Sequence, residues 1–382
     1  MRWLPVGLLI LSLAGCSGGE SAPAPLPSSA DPNSSPAVAP PDPLREAIVY
    51  LEPLGAYFTS TAGTITDIRL IGTQLRDHDL KRLSVFTGLR AITINAPGIT
   101  EEGLAHLATI PTLEIVILYG NNITDAGLKP LAELPAVREL HLVNTWVSDE
   151  GMPSIAKMQK LTTLNLSRSR VTNAGLVELT KLPALTALDI STTPINDAGM
   201  ASLGQITTLK NLDVSRLLIT NAGLKALTPL KELRTLNLTG TAITAIGLKE
   251  VAQFTHLQTL ILDHTTIGDA GLAHLAPLTN LTTLQLDNVG LTDAGAAHLA
   301  RFTKLTQLSL ARNDISDLAI EPLKPLTQLE LLILSGTTIS DASVKTLAGF
   351  PNLWGLSIRN TKITAAGVRE LEKALPKCQI DY

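Results

Sequence analysis

The residues able to do chemistry in this 382-residue chain are few and poorly spaced for catalysis. Seven histidines and two cysteines are the candidates for metal binding or nucleophilic attack. His106, His274 and His298 fall at the same point of a 24-residue period, which spreads them along the molecule as solvated helix residues. His141 and His264 fall at other points, five periods apart. That is roughly 24 Å at the spacing of adjacent strands, too far to share a metal. No H-E-x-x-H, C-x-x-C, G-x-S-x-G or phosphate-binding loop is present. Cys378 has no histidine brought near it by the period, so a small core or cap residue is expected there, not a nucleophile. Aspartates recur in step at Asp125, Asp149, Asp197 and Asp269. Calcium loops supply several oxygen ligands per turn, whereas each unit here supplies one carboxylate. The expectation is a non-enzymatic protein with no metal and no cofactor.

The period that defeats catalysis organises everything else. Units begin at Ile65, Leu89, Leu113, Val137, Leu161, Leu185, Leu209, Leu233, Leu257, Leu281, Leu305, Leu329 and Leu353, thirteen in all, without insertion or deletion. A fixed period of this length marks a solenoid. The unit reads L-x-x-L-x-L-x-x-T/N-x-I-T-D-A-G-L-x-x-L-x-x-L-x-x. Positions 4 and 6, as in Leu164 and Leu166, alternate as on one face of a strand. Positions 16 and 19, as in Leu176 and Leu179, suit one face of a helix. Each unit is therefore strand, turn and short helix, and the fold class is α/β: right-handed coils stacked into one parallel sheet. A lone unit cannot bury its apolar face, whereas a capped stack can.

Position 12 is Thr or Ser in ten units, a natural helix N-cap. Position 13 is acidic in nine, where a carboxylate would face the positive end of the helix dipole. Position 15 is Gly in ten, as expected if neighbouring coils leave no room for a side chain. Asp79, Ala319 and Ser343 depart from that rule and should mark irregularities.

These motifs resemble the leucine-rich repeat family over about residues 65–382, and the T-D-A-G-L segment is most similar to its bacterial and F-box-associated subtype. The resemblance implies a horseshoe with the sheet on the concave face and short helices on the convex face. One departure concerns position 9, where the family places Asn or Cys. Here Asn121 and Asn313 keep it, while Thr73, Thr145, Thr193, Thr241, Thr265, Thr337 and Thr361 replace it. A hydroxyl has one donor and only partly substitutes for an amide. A looser turn is expected, not a different fold.

Residues 1–15 carry Arg2 and an apolar run from Leu4 to Leu13, a signal peptide too short to span a bilayer. Leu13-Ala14-Gly15-Cys16 resembles a bacterial lipobox, which implies cleavage before Cys16 and its lipidation. Residues 16–41 follow as a Pro/Ser/Ala-rich tether without enough apolar surface to order itself. Residues 42–64 should cap the stack, with Asp42 as N-cap, Pro43 opening a helix and Ala56–Thr59 pairing with Ile65–Leu70. After the repeats at 65–376, residues 377–382 should form a truncated closing strand. No run beyond the leader is long and apolar enough to cross a membrane.

The register then points to a surface, with positions 2, 3, 5, 7 and 8 expected on the concave face. Position 5 gives His141, Asn165, Asp189, Asp213 and Asn237 in succession. Asp189 and Asp213 should stand about 5 Å apart, which is unfavourable unless Arg168, Arg216 or a ligand compensates. Position 7 adds Tyr119, Asp263 and Asp287. Tyr119 and Trp146 are the candidate anchors and the Asp/Arg strip the candidate specificity element. Trp146 has an alternative place, packed on Arg170 of the next coil.

Net charge is −4, close to −5 without Arg2, and aromatics are 3%. Such a surface does not suit nucleic acid. The expected function is a monomeric, lipid-anchored scaffold binding an unidentified protein partner, attached to a membrane of the cell envelope through Cys16. Ser17 is not the aspartate that resembles an inner-membrane retention signal, which points to the outer membrane or cell surface. An inert envelope spacer and a glycan- or peptidoglycan-binding module are the competing expectations. A ubiquitin-ligase substrate receptor is disfavoured because no F-box-like segment precedes the repeats.

Overall fold

The seven apolar positions of each unit converge on one interior. In the coil that opens at Leu185, the residues Leu185, Leu188, Ile190, Ile195, Met200, Leu203 and Ile206 are all buried. Leu188 is register partner to Leu164 on one side and Leu212 on the other, so equivalent leucines stack coil upon coil. The computed structural model describes residues 42–72, 74–120 and 122–382. The expected signal peptide, the lipidated Cys16 and the tether lie outside the described residues, as do Thr73 and Asn121.

The result is a single open sheet of fifteen strands in sequence order. All neighbours are parallel except the first two, Ala56–Thr61 and Thr64–Ile71, which form an antiparallel pair. The strands are shorter than the repeat pattern implies. From Thr163–Asn165 to Gly355–Ser357 each spans only positions 3 to 5. Position 8 lies beyond every strand, and there Asn144, Arg168, Thr192, Arg216, His264, Asn288, Arg312 and Asn360 adopt φ between 53° and 58°. That left-handed residue turns the chain out of the sheet, so position 8 sits in the turn and not on the strand. On the convex side most elements are one or two turns long, some α and some 3₁₀, as at Met152–Ile155 and Asp317–Ala319.

The acidic box plays a different part from the one its sequence suggests. The position-13 aspartates reach forward into the next coil instead of capping their own helix. Asp149 accepts from the Thr172 N–H at 2.8 Å, the Thr172 hydroxyl at 2.6 Å and the Gly175 N–H at 3.1 Å. Asp125 with Ser148, Asp197 with Thr220 and Asp341 with Thr364 repeat the motif. Where that aspartate precedes it, position 15 is glycine because the carboxylate occupies the space: a Cβ on Gly175 would lie 2.4 Å from Asp149 Oδ1. At Ser343 the exception is solved chemically, its hydroxyl donating to Asp317. Burial raises the Asp317 pKa, but hydrogen bonds from Ser340 and Ser343 outweigh it and hold the carboxylate below its ordinary value. A depressed carboxylate stabilises the fold above its unfolded pKa and loses that contribution in acid. At Asp79 the exception becomes a buried hub, accepting from the Tyr50 hydroxyl at 2.8 Å and the Arg76 N–H at 2.9 Å. Tyr50 belongs to the helix Pro43–Leu51, which Asp42 caps through the Leu44 N–H.

Position 9 shows what the threonines give up. The Thr193, Thr241 and Thr337 hydroxyls each donate to the carbonyl three residues back, closing their own turn. Asn313 also donates to Leu286 in the preceding coil and accepts the Val289 and Leu291 N–H groups at 3.1 Å. The amide ties two coils together, while the hydroxyl serves one. At the end of the chain Gln379–Asp381 pairs with Gly355–Ser357, and Cys378 packs half-buried against the core with its thiol pKa pushed up by burial.

Candidate functional site

The middle of the concave floor is built from four consecutive position-5 residues. Parallel register places Asn165, Asp189, Asp213 and Asn237 side by side. The Asn165 amide donates to Asp189 at 2.8 Å and the Asn237 amide donates to Asp213 at 2.8 Å. The other carboxylate oxygens accept backbone N–H groups, from Ser191 at 2.9 Å and from Ser215 at 2.8 Å. The two acids are thus neighbours in the row, each held from its outer side by an amide. The compensation expected from Arg168 and Arg216 does not occur. Both arginines lie in the left-handed turns, and among the described residues neither forms an ion pair. Burial, then the neighbouring Asp213 carboxylate, push the Asp189 pKa up.

A second acidic pair stands two coils further on. Asp263 accepts the Asp287 N–H at 2.8 Å, and Asp287 accepts the Ala311 N–H at 3.0 Å and the Ser309 hydroxyl. Burial raises the Asp263 pKa to about 6, with the Asp287 carboxylate adding to it and the Asp287 N–H and His264 opposing. Among the described residues no three His, Cys, Asp or Glu side chains converge as metal ligands would.

The aromatic anchors do not form one spot. Tyr119 is half-buried at the end of its strand, in register with Val143, and His141 sits beside Ile117 with Glu139 3.9 Å away. Trp146 lies in the turn, 53% exposed, with the Arg170 guanidinium 4.7 Å over its ring. This is the packing on the next coil that the sequence left as the alternative. Position 10 of the following coils also presents Pro194 and Leu218, the latter 76% exposed. The sequence reading missed both, although the same register count that aligned position 5 would have found them. It also missed Trp354, exposed at position 2 near the far end.

The left-handed turns lead to a stability prediction. Gly120, Gly240 and Gly336 adopt the position-8 conformation freely, whereas Thr192 holds φ 57° with a branched side chain. Relief of about 1–2 kcal/mol of steric cost, less the entropy of glycine, should make Thr192→Gly about 1 kcal/mol more stable. Denaturant titration reads this directly, and a lower midpoint would mean the Thr192 side chain holds the turn.

Five segments, 109–132, 157–179, 232–252, 255–276 and 303–324, match the family described as Leucine Rich repeat. Among solved structures, an internalin from Listeria monocytogenes superposes with a TM-score of 0.63 at 23% identity, covering 88% of this chain and 93% of its own. A leucine-rich-repeat protein from Leptospira interrogans gives 0.53 at 19% identity, covering 83% and 90%. No curated protein matches the sequence. The fold and the matched segments define a molecule that carries leucine-rich repeats in an open solenoid.

Proposed function

We propose that the protein is a non-enzymatic, lipid-anchored scaffold of a bacterial envelope that recognises another protein on its concave face. Leucine-rich-repeat proteins are in general scaffolds for protein interaction. The observation that carries this reading is the Asp189–Asp213 pair, two half-buried carboxylates placed in register on an open sheet. Juxtaposed like charges disfavour the isolated fold, and a partner donating hydrogen bonds or positive charge to the gap would relieve them. The floor is rigid because every member of the row is tied to backbone or amide, so little entropy is lost on docking. Lipidation at Cys16 would hold this face near a membrane.

The test is capture from envelope extract by the purified protein beside an Asp189→Lys, Asp213→Lys variant of equal thermal stability. The variant is expected to retain less than a tenth of the captured partner, consistent with about 1.4 kcal/mol or more of lost interaction. Equal capture by both would remove recognition from the central floor.

A further inference from the structure

We propose that the turn-side edge of the coils opening at Val137, Leu161, Leu185 and Leu209 docks an acidic segment of a partner protein bearing two bulky apolar side chains about four residues apart. This deepens the protein-binding reading and rests on it, but moves the affinity from the floor to the rim. The edge is an ordered row. Position-10 N–H groups bond the preceding coil, Trp146 to Ile123 at 2.9 Å, Arg170 to Val147 at 2.8 Å and Leu218 to Ile195 at 3.2 Å. The side chains Trp146, Arg170, Pro194 and Leu218 are therefore stacked one per coil and all are exposed. Trp146 and Leu218, three coils apart, stand roughly 14 Å from each other at the usual strand spacing, the span of four residues of extended chain. Large apolar side chains held in water at such spacing are the anchors of an interface.

Charge selects the occupant. Arg168 and Arg216 border the row, and among the described residues neither is in an ion pair, while Arg170 within it stacks on the Trp146 ring. Positions 7 to 10 of these four coils, residues 143–146, 167–170, 191–194 and 215–218, hold no acidic side chain, so no carboxylate of the row itself matches these cations. Arg168 and Arg216 moreover hold φ 57° and 58° where glycine serves other coils without strain. Cations kept on strained backbone beside apolar knobs are complementary to an apolar, acidic chain and repel a basic one. A row one residue wide is a poor match for a bilayer, which takes a broad apolar face.

A random peptide library displayed on phage and panned on the purified protein tests this. The expected winners are rich in Asp and Glu with bulky apolar residues four apart. The affinity of a synthesised winner should fall at least tenfold with Leu218→Glu and with Arg168→Glu, Arg216→Glu, and should change less than twofold with Trp354→Ala in the last coil. Leu218, Arg168, Arg216 and Trp354 are all exposed, and an unchanged melting temperature verifies each fold. Basic or uncharged winners, binding indifferent to Leu218→Glu, or no enrichment over bare support would overturn the proposal. So would binding to anionic phospholipid vesicles that Leu218→Glu abolishes. Loss only in the Asp189→Lys, Asp213→Lys variant would overturn it while leaving recognition by the concave floor standing.

Discussion

Gly223→Val is expected to destabilise the protein by about 3 kcal/mol or more, from overpacking together with the loss of a charge-assisted hydrogen bond. A Cβ at Gly223 would lie 2.3 Å from Asp197 Oδ1 and 3.0 Å from Met200 Cγ. Asp197 cannot swing aside, because the Thr220 N–H at 2.7 Å and hydroxyl at 2.6 Å both hold it. The same oxygen accepts the Gly223 N–H at 3.0 Å, so a displaced coil also breaks that bond. Asp197→Ala should be destabilising alone yet partly rescue Gly223→Val, giving a coupling energy above about 1 kcal/mol in a double-mutant cycle. Strict additivity in chemical denaturation would show that the coils spread to admit the side chain, and the account of position 15 would fail.

The second large effect depends on pH. Asp263→Asn is expected to stabilise the protein at pH 7.5 and to leave it nearly unchanged at pH 4. The sign follows from the raised pKa of about 6, against an ordinary value of 3.8. A carboxyl whose pKa rises on folding favours the folded state below the unfolded pKa and loses that advantage as pH climbs through the folded one. Between about pH 4 and 6 the wild type therefore gives up stability that the neutral asparagine does not. About two pKa units correspond to about 3 kcal/mol, and partial solvent access reduces the expected gain to about 1–2 kcal/mol. The introduced amide would still offer an oxygen to the Asp287 N–H, so the ladder survives. An equal difference between the two proteins at both pH values would refute the assignment.

Much of this molecule was legible because the period is strict. With thirteen units in step, the seven apolar positions, the direction of the sheet and the row Asn165–Asp189–Asp213–Asn237 followed from counting alone, since parallel strands without insertions stay in register. The tight approach at position 15 was legible too, because only glycine recurs there. What counting could not say was which atoms caused it. The carboxylate that reads as a local helix cap bonds the next coil, a choice made when stacking brings Thr172 within 2.6 Å of Asp149.

The tertiary structure alone decided the rest. The balance of charge on the floor was settled by amides and backbone N–H groups, because Arg168 and Arg216 turn away at left-handed residues that no local pattern announces. Arg, Thr, His, Asn and Gly all occupy that turn, so residue type could not reveal it. Trp146 and Leu218 belong to one edge only because ladder bonds stack their coils three apart. Sequence periodicity determines which residues share a face. Contact between coils determines how each charged group on that face is satisfied, since its partners lie a full period away and compete there with the backbone.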